Sequence, residues 1–290
     1  MFIVRITAGL GNQMFQYALY RALIEQGKEV YLDISDSVDR NKPDLYQLKS
    51  IFPIIEQLAI REEIDRFKIN ITDLRLYERM RRKLTLMMSL PYKRYVEKKY
   101  YNYDKRIFNL KGDYYLDGYW QSEKYFSCIG KKIREEFKFI PEIVSHNMIT
   151  LNQVRMTESV SIHIRRGDYV KHPWHGGICD LEYYQKAIKL MKNKVNNPFF
   201  FIFSDDPGWC KENLLVHNSV FIDWNHGLDS FKDMQLMSNC RHNIIANSSF
   251  SWWGAWLNTS PDKIVIAPSR WLNNTTYDHP DIVPYGWIKL

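Results

Sequence analysis

In "FIVRITAGLGNQMFQYAL" (residues 2–19) an apolar strand passes through a glycine turn into a helix. From Asn12 onward, five apolar residues follow the spacing of one helix face, and these are Phe15, Ala18, Leu19, Ala22 and Leu23. Gly27 suits the C-terminal cap of this helix, and "EVYLD" (29–33) predicts the next strand. A strand, a helix and a second strand in this order indicate an α/β fold.

The rest of the chain repeats this alternation. "PFFFIFSDD" (198–206) is a continuous apolar run, typical of a strand buried on both faces. Further strands are predicted at 159–164, 219–223, 242–247 and 263–268, a helix at 129–139, and a charged, irregular helical segment at 54–110. Two α/β units follow from this pattern.

We therefore predict a first domain over 1–150 and a second over 151–290, joined around 141–157, with the last residues able to pack back on the first domain. Hydrophobic residues make up 45% of the 290, which is typical of a packed globular protein. No apolar stretch reaches the roughly 18 residues of a membrane span. Four cysteines without disulfide or zinc spacing favour a cytoplasmic protein with free thiols.

The net charge of +7 is concentrated in one segment. Residues 75–106 carry eleven Lys or Arg and three acids, so the rest of the chain is nearly neutral. Such a patch would suit peripheral contact with an anionic membrane surface or a nucleic acid. A solvated helical face is the alternative, and no motif in the sequence supports nucleic-acid binding.

The Gly9-Leu10-Gly11 turn imitates a dinucleotide-binding fingerprint, with Asp33 at the end of the second strand. Met14 occupies the position of the third glycine, where a side chain would spoil close helix–strand packing. An NAD site is therefore disfavoured. The turn would instead present backbone N–H groups and polar side chains, or Asn12 would only cap the helix.

"HIRRGDY" (163–169) lies at the carboxyl end of the alternating strand, where ligands bind in open α/β sheets. Val160, Ile162 and Ile164 share one face of this strand, opposite Ser161 and His163. The planar fork of arginine matches phosphate oxygens. We expect one of the two arginines to pair with the nearby acid and the other to be free for a ligand.

Three further stretches combine helix starts with polar groups. "NSSFSWWGAW" (247–256) predicts a helix N-terminus whose N–H groups and hydroxyls could bind phosphate, with the tryptophans as core. "DSFKDMQLMSNC" (229–240) predicts a capping box of Ser230 and Asp233, and an acid there could also accept two hydrogen bonds from guanine. "SDDPGW" (204–209) predicts a cap with Pro207 in the first turn.

Four of these stretches together resemble the α-1,2-fucosyltransferases in their compact bacterial form, and they are "GLGNQMFQYA" (9–18), "HIRRGDY" (163–169), "FSDD" (203–206) and "NSSFSWWGAW" (247–256). The resemblance runs over nearly the whole chain in the right order. It implies a GT-B fold, with two facing Rossmann-like domains and the active site between them. It also implies GDP-fucose as donor, inversion at the fucose C1 and no required metal. The acceptor would be a terminal β-galactoside of a bacterial surface glycan, as in O-antigen biosynthesis.

The resemblance also implies roles for individual residues. The second domain would bind the donor, with Arg165 on the β-phosphate, His163 near the guanosine and Asp233 reading guanine. Ser248 and Ser249 would meet the diphosphate. Gly11 and Asn12 would face the donor from the first domain, which would bind the acceptor.

Two questions stay open at this level. Asp168 is a candidate for the base that takes the acceptor proton, or it orients Arg165 or Arg166, and the weaker base candidates are His172, His175, Asp117 and Glu123. The chain has no D-x-D metal motif, and Asp205-Asp206 and Asp180-Leu181-Glu182 do not adjoin a plausible phosphate loop. A non-catalytic nucleotide- or sugar-binding module is the rival function, and turnover would exclude it.

Overall fold

The computed structural model describes residues 1–39, 45–67, 92–273 and 280–290. The chain divides into two compact units: Met1–Leu48 with Ile54–Ile133, and Lys49–Pro53 with Arg134–Leu290. The division thus falls before the expected linker at 141–157.

The helix α6 (His146–Met156) accounts for the difference in the boundary. Its Leu151 and Val154 pack in one apolar cluster with Phe201 and Leu236 of the second unit. The segment after 134 is therefore part of that unit's core and not a linker.

The first unit is built on a four-stranded parallel sheet in the order β2-β1-β4-β3. Its strands are β1 (Phe2–Arg5), β2 (Val30–Asp33), β3 (Tyr92–Val96) and β4 (Asp113–Asp117). The helices up to residue 136 are α1 (Leu10–Glu25), α2 (Ser35–Asp39), α3 (Leu48–Ile51), α4 (Arg61–Phe67) and α5 (Gly130–Glu136).

Helix α1 is buried on nearly all sides, which is more than its apolar stripe predicts. Gly9 is its N-cap in an extended conformation, so the helix begins two residues before Asn12 and Asn12 is not the cap. At the other end Gly27 adopts a φ of +76°, the left-handed conformation expected after a helix. The predicted strand–turn–helix is thus confirmed, with a shifted start.

Strand β3 lies in the stretch 54–110, predicted to be irregular and helical, and for residues 92–96 that prediction is wrong. Helix α4 agrees with it, and residues 68–91 of this stretch lie outside the described residues. Strand β3 pairs in parallel with β4 from Tyr92↔Asp113 to Val96↔Asp117. An edge strand with exposed Lys and Arg residues resists pairing with other chains. Those charges hide the apolar alternation that marks a strand in a sequence.

The basic segment 75–106 is described only from residue 92 onward. Arg94 forms an ion pair with Asp117, and Arg106 pairs with Asp104 at 2.7 Å. Internal carboxylates therefore neutralise two of its cations. Contact of this segment with a membrane surface stays a prediction. Within the described ranges, no helix has the length and apolar character that crossing a membrane requires.

The second unit contains a six-stranded parallel sheet in the order β10-β9-β8-β5-β6-β7. The strands are β5 (Glu158–Ile164), β6 (Pro198–Ser204), β7 (Ser219–Ile222), β8 (His242–Ile244), β9 (Val265–Ala267) and β10 (Ile288–Lys289). The remaining helices are α7 (Leu181–Lys194), α8 (Pro207–Asn213), α9 (Phe231–Asn239) and α10 (Ser249–Leu257).

Strand β5 is central and buried on both faces, although its alternating sequence places apolar residues on one face only. The two-sided burial predicted for 198–206 is confirmed in β6. Val160, Ile162 and Ile164 join the cluster that contains residues of α7. On the opposite face Ser161 accepts a hydrogen bond from Asn243 at 2.7 Å. The last residues extend this same sheet, because Ile288 pairs with Ile266. All four cysteines are free.

Candidate active site

The carboxyl end of β5 turns sharply into a short 3₁₀ segment, Gly167–Tyr169. A Cβ atom on Gly167 would lie 2.6 Å from Oδ2 of Asp205, so only glycine allows this close approach. The turn places Arg165 and Arg166 at the edge of the sheet where neighbouring parallel strands also end. Ligand sites of open α/β sheets lie at this edge.

Arg165 is held between two carboxylates. Its Nη2 donates to Asp168 at 2.6 Å, and its Nη1 lies 2.9 Å from Oδ2 of Asp205. The Asp168 side chain is 65% exposed and that of Arg165 is 35% exposed. Exposed ion pairs contribute little stability. A phosphate can therefore displace Asp168 from the guanidinium at small cost.

Arg166 is held differently, by a carboxylate and an aromatic ring. Its Nε donates to Asp206 at 3.0 Å, and its guanidinium carbon lies 3.8 Å from the centre of the Trp209 ring. The backbone N–H of Arg166 donates to Asp205 at 2.8 Å. These contacts fix the turn and make Arg166 the more firmly anchored of the two arginines.

Two expectations about this turn are wrong. Neither arginine is free, and Asp205-Asp206 lies directly beside it. The reason is the register of the sheet, in which Ile164 of β5 pairs with Ser204 of β6. The residues that follow the two strands are therefore neighbours, although about 40 positions separate them. The cap predicted at Asp206 is confirmed, since its carboxylate accepts from the N–H of Trp209 at 3.2 Å.

A cavity of about 320 Å³ adjoins the turn. Arg165, Arg166 and Tyr169 line it, together with Asn247 from the segment before α10. Asp180 lines it as well, which corrects the expectation that the Asp180-Leu181-Glu182 stretch lies elsewhere. The arginines and the start of the "NSSFSWWGAW" stretch thus meet at one cavity, as their positions after adjacent strands predict.

His163 lies inside the sheet, only 6% exposed. Burial, and then the nearby charge of Arg165, lower the pKa of its imidazole to about 3. Its Nδ1 has no hydrogen-bond partner among the described residues, and its ring lies 5.7 Å from that of Phe250 in α10. His163 is therefore a neutral imidazole with one nitrogen unused.

The N-terminus of α10 is formed by Ser248 and Ser249. Ser248 is the N-cap in an extended conformation, but its side chain makes no capping hydrogen bond. Trp252 and Trp253 of the same helix are fully buried, so the predicted tryptophan core is confirmed. A cap that does not use its hydroxyl leaves that group and the first N–H groups of the helix able to meet an anion.

Asp233 does not form the predicted capping box. Gly227–Ser230 form a 3₁₀ turn that brings Ser230 into helical conformation, where it makes no capping hydrogen bond. Asp233 instead accepts from Nδ2 of Asn225 at 2.7 Å. Burial raises the pKa of Asp233 to about 7, against the effect of this hydrogen bond.

In the first unit, the polar groups of the glycine turn bind the protein itself. Gln16 accepts from the N–H of Thr7 at 2.9 Å and donates to the carbonyl of Gly118 at 3.0 Å. Asp33 accepts from the hydroxyl of Tyr115 and the N–H of Ser35. In a dinucleotide site this acid would bind the ribose, but the carboxylate of Asp33 is already hydrogen-bonded within the protein. This argues further against an NAD site. Asn12 accepts from Gln121.

Among the weaker base candidates, His175 lines the same cavity as Arg165. His172 and His175 lie together, with ring centres 4.6 Å apart, whereas Asp117 is bound by Arg5 and Arg94. Sequence reasoning missed the role of Trp209 as a platform for Arg166. The pairing of strand ends could have revealed it, because α8 begins three residues after β6 ends.

Comparisons with known proteins agree on one family. The sequence model of glycosyl transferase family 11 matches residues 61–290. Two Escherichia coli proteins are similar over nearly their whole lengths. An alpha-1,2-colitosyltransferase is 35% identical over 99% of this chain and 98% of its own. The O-antigen biosynthesis glycosyltransferase WbnK is 32% identical over 98% and 99%.

More distant similarities extend beyond these two proteins. The mouse galactoside 2-alpha-L-fucosyltransferase Sec1 is 25% identical, over 92% of this chain and 67% of its own. Among solved structures, NodZ alpha-1,6-fucosyltransferase soaked with GDP-fucose matches with a TM-score of 0.52 at 14% identity. That match covers 88% of this chain and 91% of NodZ. At this identity the likeness shows the fold alone, which is of the GT-B type.

Proposed function

This chain belongs to glycosyltransferase family 11, and we propose that it transfers L-fucose from GDP-fucose to the 2-hydroxyl of a terminal β-galactoside. The similarity to WbnK supports a glycan acceptor of O-antigen type. The fucosyltransferase Sec1 supports the sugar and the linkage. The colitosyltransferase supports a close alternative, because colitose is L-fucose without its 3-hydroxyl.

The observation that carries the proposal is the placement of Arg165. Its guanidinium lines the cavity at the end of β5, and its main partner Asp168 is exposed and replaceable. Arginine offers two parallel N–H donors to a phosphate. A diphosphate bound here would take the place of Asp168.

In the proposed reaction the acceptor oxygen attacks C1 of fucose opposite the GDP, so the configuration inverts. The C1–O bond to the β-phosphate breaks, and its electron pair stays on the phosphate oxygen. Arg165 stabilises the negative charge that develops there. The acceptor hydroxyl loses its proton to a base, for which Asp168 is the candidate on this turn.

We propose that no metal ion is needed for this step. Arg165 and the N–H groups at the start of α10 supply positive charge to the departing diphosphate. The roles of His163 near the guanosine and of Ser248, Ser249, Gly11 and Asn12 along the donor belong to the same proposal. Excess EDTA should leave turnover unchanged, and a complete loss restored by Mg²⁺ or Mn²⁺ would refute it.

The testing experiment offers GDP-fucose and the corresponding colitose donor, in parallel, to a panel of methyl galactosides and galactose-terminated oligosaccharides. Mass spectrometry detects the product, and NMR of the purified product assigns linkage and configuration. A product with fucose α-linked to O2 of galactose supports the proposal. Transfer from the colitose donor alone would reassign the sugar, and absence of any transfer would favour a non-catalytic binding module.

A further inference from the structure

A second cavity, of about 210 Å³, lies within the first unit beside the carboxyl ends of β3 and β4. Glu97, which directly follows β3, lines it together with the aromatic rings of Tyr95, Tyr103 and Trp120. One sugar ring with its hydroxyl groups fits such a space.

Glu97 uses only half of its hydrogen-bonding capacity. Its Oε2 accepts from the backbone N–H of Tyr119 at 2.7 Å and from that of Trp120 at 3.3 Å. Its Oε1 is shielded from solvent and has no partner among the described residues. Buried polar atoms are almost always hydrogen-bonded, so the unpaired Oε1 indicates that a ligand donates to it.

Trp120 carries a complementary unpaired group. The indole Nε1, a donor only, is buried and has no partner in the described part of the chain. The residue adopts a φ of +55°, an outlier for a bulky side chain. Such strain persists where the surrounding structure demands it, often at a ligand site.

Gly118 makes this arrangement possible. A Cβ atom at this position would lie 2.5 Å from Cβ of Glu97 and 2.8 Å from the ring of Trp120. The close approach lets the carboxylate reach under the turn that follows β4. The backbone at Gly118 therefore fixes the positions of the Glu97 carboxylate and the Trp120 indole beside the cavity.

We propose that this cavity binds a neutral hexopyranoside, with its hydroxyl groups on Oε1 of Glu97 and Nε1 of Trp120. A sugar hydroxyl both donates and accepts, so it satisfies an unpaired acceptor and an unpaired donor together. The aromatic rings supply the apolar surface for the C–H faces of the sugar. Identifying this sugar as the acceptor terminus rests on the function proposed above.

Arg106 and Glu97 favour a neutral ligand, although the exposed Lys98 and Lys99 also line the cavity. Arg106 is engaged by both oxygens of Asp104, at 2.8 and 2.7 Å, so it is not directed at an anion. An acidic sugar would also face Glu97. Burial raises the pKa of Glu97 to about 7, against its two backbone donors, so near neutral pH the carboxyl can accept or donate to a hydroxyl.

Entry requires side chains at the mouth to move. Lys98 and Lys99 line the cavity and are exposed, so their long side chains can change rotamer at little cost. Oε1 of Glu97 and Nε1 of Trp120 are shielded from solvent, so a ligand reaches them only when neighbouring side chains move.

The test compares the wild type with Glu97→Gln and Trp120→Phe. Saturation-transfer NMR without donor measures binding of the methyl β-glycosides of galactose, glucose and N-acetylglucosamine, and steady-state kinetics measures the acceptor KM. Glu97→Gln keeps an acceptor for the two backbone N–H groups but turns Oε1 into an NH2 donor, and the loss of this acceptor should weaken sugar binding and raise the acceptor KM about 10-fold. Trp120→Phe keeps an aromatic ring but removes the indole N–H, and it should produce a smaller rise of the same kind.

Glu29→Gln is the matched control, because Glu29 precedes β2 at the opposite end of the sheet and is exposed. It should behave as wild type. GDP affinity, measured by calorimetry, should stay within about twofold in all variants, and circular dichroism and thermal unfolding verify that the first unit is folded. If Glu97→Gln does not fold, Trp120→Phe carries the test.

Two results overturn the proposal: no glycoside in the panel binds the wild type, or both variants keep the wild-type KM and affinity. Failure of the proposed function looks different. GDP-fucose would then give no transfer, while the glycoside still binds the wild type and is lost in Glu97→Gln.

Discussion

Each unit has a turn at the end of a central parallel strand, and the two turns satisfy their polar groups in opposite ways. After β1, the buried Gln16 side chain uses both ends of its amide on backbone groups of the protein. After β5, Arg165 is balanced by Asp168, which is 65% exposed. One turn is closed by internal hydrogen bonds, whereas the other is held by charges that reach the solvent.

This difference separates a structural turn from one that can bind a ligand. Breaking the buried amide bonds of Gln16 leaves backbone groups unpaired, at about 1–3 kcal/mol per group. Exchanging Asp168 for a phosphate leaves Arg165 paired throughout. The glycine turn, which imitates a phosphate cradle in sequence, is thus the more rigid and less available of the two.

The largest expected effect is at the second turn. Arg165→Ala should lower kcat/KM by about 10²–10³, the usual loss when one strong electrostatic donor is removed. Arg165→Lys should recover little, because one ammonium cannot replace the two-pronged guanidinium. Steady-state kinetics with GDP-fucose and a responsive galactoside measures both.

Arg241→Ala is the matched control for Arg165. It breaks an exposed ion pair with Glu158, 2.6 Å long, at the opposite end of β5. Its kinetics should remain close to wild type. If Arg165→Ala and Arg241→Ala lower kcat/KM equally, the turn after β5 has no special role in binding the donor.

The next effect is on stability and concerns the first turn. Gln16→Met should lower the free energy of unfolding by about 1–3 kcal/mol for each group left unpaired, since Thr7 N–H and Gly118 C=O lose their partners. Chemical denaturation measures the loss. Gln26→Met, at the exposed end of α1, should stay within about 0.5 kcal/mol of wild type. A stable Gln16→Met variant with weakened donor binding would make this turn a ligand site.

Asp168→Asn should have a smaller effect and separates two roles. In the proposed function a phosphate takes the place of Asp168 on Arg165, so Asp168→Asn should leave GDP affinity near wild type or raise it. A joint fall of GDP affinity and turnover by about tenfold would show that Asp168 stays on Arg165 and orients it. Asp229→Asn is the control, because Asp229 forms an exposed pair with Lys232 at the same spacing. Normal GDP affinity with turnover lost by about 10² or more would instead make Asp168 the base.

The order of strands and helices around both turns was predictable, because apolar alternation and glycine caps are local signals. The family was predictable because four motifs keep their order along the chain. The pairing of Arg165 with Asp205 was not recognised, because it depends on the register between β5 and β6. Strand β3 was missed because its edge position permits charged residues where a buried strand would be apolar.

The cavity at Glu97 shows the same limit more strongly. Glu97 belongs to the basic segment, and in the sequence nothing distinguishes it from a solvated acid. Its burial arises from the turn at Gly118, which follows a different strand. Residues whose environment is built by distant segments carry no local signal of their role.

The smallest expected effect concerns Asp233, a half-buried acid in the same unit as Arg165 and Asp168. Its carboxylate can accept from two N–H groups of guanine only when it is ionised, and its pKa is about 7. If it reads the base, GDP binding must release a proton from it below that pH. GDP affinity should therefore fall as the pH drops below about 7 and level off above it.

The ratio of GDP to UDP affinity isolates the contribution of Asp233 ionisation, because both ligands carry the same titrating diphosphate. In the wild type the ratio should fall as the pH drops from 8 to 6, by up to about tenfold per unit below the pKa. Asp233→Asn should lower the ratio at pH 8 and make it independent of pH. Asn225, the hydrogen-bond partner of Asp233, is neutral, so it adds no titration of its own. If the ratio does not change with pH in the wild type and is the same in Asp233→Asn, Asp233 does not read guanine. It is then a structural acid whose carboxylate binds only the protein, as the Gln16 amide does after β1.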